Sequence, residues 1–362
     1  MSDPTIQTFC CHHTGNKTDT AVRIMNEFNT DSYNIVCLIS STIGILGAMY
    51  QIFPYVVRSV PRDNEMLSAS LSKPTQGRRI IMWLAVADLL ASFGVLVRSA
   101  LWLRFKNIMP LPNDDVSVLF CSITSAWTQY FYTVTWFWTL FYAIDTWLII
   151  KGRDSHPVLY HSVAWGLPMA TTSVGLSILY IPNGSCHNLP SISSALYKIL
   201  PNYCASYLPI AMVMIVNPIM YILSSRDIEM AVALPLAQFT SKERRVVDAL
   251  RLKFLFINIV FYVCWTPNLV NGVLLWTMWF NMPMKVILIT WYIMALINPM
   301  QALLNTLVYQ RWTSYNRRFR FSRPTNEKQT PFFDEQTPLL ASEPSRFQLS
   351  PVPSSINNSA TL

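Results

Sequence analysis

Charge is what this 362-residue chain has least of: Asp, Glu, Lys and Arg make up only 13% of it, about half the share of an average soluble domain. Two or three soluble domains of this combined length would need a far more charged surface, so a soluble enzyme is excluded. Glycine is also sparse at 10 residues, beside 12 Trp and 16 Met. Catalytic signatures are missing too: there is no HExxH, no GxSxG and no phosphate loop. Residues 1–32 hold neither an apolar h-region nor a small-residue cleavage pattern, so no signal peptide is expected. The first apolar run then serves as the insertion signal.

What is present is apolar: 52% of the residues, gathered into long runs. A helix needs about 20 such residues to cross the hydrocarbon core, and helices satisfy their own backbone there. Seven runs meet the requirement, at 33–57, 78–103, 119–150, 157–181, 203–225, 247–280 and 284–310. The fold class is an all-α seven-helix membrane bundle spanning 33–310, preceded by an N-tail at 1–32. Pro209, Pro218, Pro267 and Pro299 lie inside spans five to seven, where they should kink the helices.

The net charge of +8 invites a nucleic-acid reading, but its distribution argues against one. The 1–2, 3–4 and 5–6 connections and the C-tail hold five, two, six and seven Lys and Arg, which makes 20. The N-tail and the other three connections hold six, and Arg98 lies within span two. Such a bias places the N-tail outside or in the lumen and the C-tail in the cytosol. The sequons at Asn16 and Asn183 then fall on the lumenal side and are glycosylation candidates.

After the last span, Trp312, Tyr315 and Phe319 recur among Arg311, Arg317, Arg318 and Arg320. Residues 311–322 therefore read as a short amphipathic helix on anionic membrane lipids, or as a plain positive-inside anchor. The remainder, 323–362, is rich in Pro, Ser, Thr and Asn and reads as a disordered tail. Within it Glu335, Leu339 and Leu340 form an ExxxLL pattern. A carboxylate and two leucines on a flexible strand suit a clathrin adaptor and a lysosomal address. Cys10-Cys11-His12-His13 lacks a partner pair to close a tetrahedron, so no metal and no cofactor is expected.

Span six contains Phe261-Tyr262-Val263-Cys264-Trp265-Thr266-Pro267, which resembles the FxxCWxP signature of rhodopsin-like G-protein-coupled receptors. Pro267 bends the helix, so Trp265 can couple ligand contact to a swing of its cytosolic half. Span two contains Leu84-Ala85-Val86-Ala87-Asp88-Leu89-Leu90, similar to the LAxxDLL of the same receptors. A carboxylate at that depth is a functional hypothesis by default, although one satisfied only by hydrogen bonds is the plainer reading. The resemblance implies a polar cluster of Asp88 with span seven, and Asn298 of Asn298-Pro299 is the expected partner. It also implies a disulfide from Cys121 to Cys186 across the lumenal face. Asp145 follows Cys121 at the spacing of the DRY aspartate, but Thr146 stands where the arginine belongs. The tyrosine position of NPxxY, counted from Asn298, is Ala302.

This mixture of matches and departures resembles the ocular albinism type 1 receptor family over roughly residues 8–313. Matching stretches include Thr8-Phe9-Cys10-Cys11, Val97-Arg98-Ser99-Ala100-Leu101-Trp102-Leu103, Tyr160-His161-Ser162-Val163-Ala164-Trp165 and Asn298-Pro299-Met300-Gln301. The resemblance implies a receptor of lysosomes or melanosomes that signals through heterotrimeric G proteins, with aromatic amino-acid-like ligands such as L-DOPA.

From the residues themselves, Arg98 is the ligand candidate. A guanidinium in the outer half of span two needs an anionic partner. A ligand carboxylate would serve, walled by Trp102, Gln129, Tyr132, Trp265 and Asn268; the other reading has Arg98 snorkel to headgroups or pair within the protein. A retinal pump is excluded because span seven offers only Lys285, at its edge. A lysosomal transporter, or a sensor or scaffold independent of G proteins, is the alternative function.

Overall fold

A computed structural model describes residues 28–59, 76–105, 115–151, 153–180, 192–233, 241–277 and 284–321. Seven helices account for nearly all of them: α1 Thr30–Ser59, α2 Gln76–Arg104, α3 Asp115–Ile150, α4 Pro157–Tyr180, α5 Ile192–Ala233, α6 Ser241–Thr277 and α7 Met284–Phe321. Each is long and apolar enough to cross a membrane. Every expected span is helical over its described residues, and α5 and α7 run well beyond the limits expected for them. The segment expected as a separate helix over 311–322 is helical through Phe321 as a direct continuation of α7. No Gly or Pro lies between Met300 and Phe321 to break it.

Neighbours in sequence are neighbours in space, with α1 closing the ring on both α2 and α7. α3 touches α2, α4 and α5 and is the most enclosed span: 72% of its most apolar stretch is buried, against 28% for α4. The apolar interior is aromatic, with Trp136, Trp138, Trp265, Trp291 and Tyr132 all but inaccessible.

Proline and small residues decide the packing between helices. A proline in a helix leaves the carbonyl four residues earlier without its donor. Pro299 does this to Ala295, whose oxygen accepts a hydrogen bond from Ser40 Oγ of α1 at 2.6 Å. Pro218 does it to Met214, whose oxygen accepts from the Tyr262 hydroxyl of α6. Between α1 and α7 the small residues Ser40, Gly44 and Gly47 permit close approach. A Cβ on Gly47 would lie 2.6 Å from the Cα of Leu303, and one on Gly44 would overlap the Pro299 carbonyl. Small residues at three- and four-residue spacing are the usual device for helix contact in lipid.

Candidate functional site

The bundle has an N-terminal face, where α1 begins, and a C-terminal face, where α7 ends. Between them, buried polar side chains form pairs that cross from helix to helix.

Trp265 of α6 is the centre. It is fully buried, and its indole is met edge-on by Trp136 at 4.8 Å and Tyr132 at 5.1 Å, both from α3. Its Nε1 donates to Gln301 Oε1 of α7 at 2.6 Å. One side chain thus reports on α3 and α7 together, two residues before the proline that bends its own helix. Toward the N-terminal face, Trp291 Nε1 donates to Asn271 Oδ1 at 2.9 Å, and Gln129 Nε2 donates to Asn202 Oδ1 at 3.3 Å.

Asp88 is 2% exposed, and its Oδ2 accepts from Asn305 Nδ2 at 3.1 Å. The expected partner was Asn298. That residue is buried as well, but it lies two turns earlier on α7, about 10 Å along the axis. At that level the chain makes a different contact, Ser92 Oγ to the Pro299 carbonyl at 3.4 Å. The asparagine and tyrosine of the NPxxY pattern are met instead by Asn305 and Tyr309, with Thr306 in the proline's place. Thr306 Oγ1 donates to the Gly47 carbonyl at 2.8 Å and lies 2.9 Å from Gln51 Oε1, so it joins α7 to α1.

The six residues expected around a ligand are not gathered into one pocket. Arg98 is half-buried in a narrow crevice between α1, α2, α3 and α7, walled by Tyr33, Asn34, Cys37, Ser99, Thr128 and Met294. Tyr132 and Trp265 pack together in the centre, Gln129 turns toward α5, and Trp102 and Asn268 are buried. The α1 wall of the crevice was missed because the spacing of Ser40, Gly44 and Gly47, which marks the face of α1 that meets α7, lies within an otherwise plain apolar run.

At the C-terminal face, Asp145 is 1% exposed and accepts a hydrogen bond from the Ser155 hydroxyl. Thr146, next to it, donates to the Tyr142 carbonyl at 2.7 Å. Lys151 Nζ meets Asp227 Oδ1 at 2.8 Å, linking the end of α3 to α5. Cys121, at the N-terminal face, is disulfide-bonded, whereas Cys37, Cys204 and Cys264 are free thiols. Its expected partner Cys186 lies outside the described residues, as do Asn16, Asn183, Glu335, Leu339 and Leu340.

Comparison with known proteins adds three findings. A family model described as ocular albinism type 1 protein matches residues 1–337. A human protein, G-protein coupled receptor 143, is 27% identical over 339 residues, which cover 89% of this chain and 80% of the relative. Squid rhodopsin superposes with a TM-score of 0.54 at 14% identity, over 81% of this chain and 86% of its own, a likeness of fold alone.

Proposed function

The chain belongs to the ocular albinism type 1 protein family, and on that premise we propose that it is a G-protein-coupled receptor of lysosome-related organelles. The observation that carries this reading is Trp265. A buried indole held by α3 rings and an α7 amide, beside a helix-bending proline, suits the conversion of a ligand contact into a change of α6 direction. Asp88 with Asn305 forms the polar cluster beneath it.

The ligand is a small molecule bearing a carboxylate, and an aromatic amino acid such as L-DOPA is the candidate the family suggests. Arg98 in its crevice is the group that would meet the carboxylate, with Tyr33 as the aromatic wall of that crevice and Trp102 one turn along α2. The N-terminal face is lumenal in this reading, because 20 Lys and Arg flank the other one. Cys121 then pairs with Cys186 in an oxidising compartment, and Asn16 and Asn183 carry glycans. Glu335, Leu339 and Leu340 bind a clathrin adaptor and set the lysosomal or melanosomal address.

A second reading, a sensor or transporter without G-protein output, draws on Thr146. An uncharged hydroxyl, already bonded to its own helix, stands where receptors of this type carry arginine. One experiment separates the two: nucleotide exchange on each Gα class in membranes bearing the Leu339→Ala/Leu340→Ala chain, against membranes without it. Exchange above background supports the receptor. Silence from every class, with L-DOPA and related aromatic amino acids added, overturns it in favour of the sensor or transporter.

A further inference from the structure

Lys253 lies in the first turn of Arg251–Leu274, the membrane-crossing stretch of α6, yet it is only 5% exposed. Burying an ammonium is costly unless other groups replace its water. The Tyr309 ring on α7 is one such group: Lys253 Nζ lies 5.1 Å from its centroid, a cation–π contact. Tyr309 is itself 7% exposed and meets Tyr142 of α3 edge-on at 6.3 Å. Tyr142 meets Phe254 of α6 at 6.2 Å, and Phe254 meets Tyr221 of α5 at 5.6 Å. Four helices therefore converge on one cluster at the C-terminal face, and among the described residues the cation on its rings, Lys253, comes from α6. On α3, Thr146 sits one turn beyond Tyr142 without charge; Lys151, just past the end of α3, is engaged by Asp227.

The lever is long. Lys253 precedes Pro267 by 14 residues, about 21 Å of helix. A small change of bend at the proline must lift Lys253 off the ring, and a lysine held on the ring resists that change.

We propose that the seating of Lys253 on Tyr309 is the latch that holds α6 closed against α7 and α3, a switch cation carried by α6 in a chain whose α3 has none after Asp145. The inference rests on the receptor reading for its output but not for the movement, so the two are tested apart.

The movement is read in lipid nanodiscs with no transducer, as a distance between spin labels at Leu252→Cys on α6 and Val158→Cys on α4. Both positions are exposed. The full chain carries Cys204→Ser, since that thiol is exposed and free, and the same chain without the added cysteines is the blank. Lys253→Met keeps an unbranched side chain without its charge, and Tyr309→Leu removes the ring. Each should shift the closed-to-open ratio about tenfold toward the longer distance, the scale of a desolvated cation–π contact. Lys253→Arg, which also stacks on aromatic faces, and Tyr309→Phe should keep the natural distribution.

A Lys253→Met chain with the natural distribution overturns the latch, and so does Lys253→Arg opening as far as Lys253→Met. If Lys253→Met does not fold, Tyr309→Leu against Tyr309→Phe decides from the other side. Nucleotide exchange is followed in parallel. Distances that shift while no Gα class responds keep the latch and remove the receptor reading; exchange that rises with unchanged distances does the reverse.

Discussion

Asn305 Nδ2 of α7 donates to Asp88 Oδ2 of α2 at 3.1 Å, in a site where Asp88 is 2% and Asn305 3% exposed. The carboxylate therefore depends on a neighbour 217 residues away in sequence. Removing one partner from a buried polar pair costs more than the pair itself contributes, because the other group is left without hydration.

Asn305→Ala should accordingly destabilise the bundle by about 1–3 kcal/mol, and Asn298→Ala by less. The check is the apparent Tm of detergent-solubilised protein, followed by size-exclusion chromatography after heating. Equal losses for the two variants would return the partnership to Asn298.

The contact of α1 with α7 makes a steric prediction. Gly47→Leu forces a Cβ to within 2.6 Å of the Leu303 Cα, whereas a Cβ on Gly166 meets nothing within 4 Å. Gly47→Leu should abolish monodisperse protein, and Gly166→Ala should leave the yield unchanged. The comparison is the peak area of the two variants on the same column.

For the Trp265–Gln301 pair the signalling effect is expected to exceed the stability effect. Gln301→Leu leaves the buried indole N–H without its partner, which costs about 1–3 kcal/mol, so the variant should still fold. With its indole released from α7, it should alter basal nucleotide exchange in membranes matched for the amount of protein. A variant indistinguishable from the natural chain would mean that this hydrogen bond carries no signal.

Leu339→Ala with Leu340→Ala should move the protein from lysosomes to the cell surface, measured by surface biotinylation. Unchanged lysosomal staining would defeat the sorting role.

Apolar run length alone made the seven spans legible, because the membrane imposes a length and leaves little choice of secondary structure. Trp265 and Asp88 were legible as well, since the residues around them form local patterns. Partnerships were not. Asn298-Pro299 drew attention through its proline, although the Asn305 to Tyr309 spacing was equally visible and is what aligns with Asp88. The α1 side of the Arg98 crevice comes from residues some 60 positions before it. Only the rotation of α1 about its own axis brings Tyr33, Asn34 and Cys37 there, and an apolar side on a membrane helix does not say which neighbour it meets. Ser40, Gly44 and Gly47 carried a usable signal, small residues three and four apart, within what reads at first as a plain apolar run.

That α1–α7 joint also bears on biogenesis. On the helix made first, the Ser40 hydroxyl, the Gly47 carbonyl and Gln51, besides their bonds within α1 and to α2, have partners on the helix made last. Throughout synthesis α1 waits in the bilayer with part of its interface unmatched, and the ring closes only when α7 is released from the ribosome. A nonsense mutation anywhere upstream of α7 therefore leaves the oldest part of the chain unfinished, and membrane quality control would meet the defect at α1.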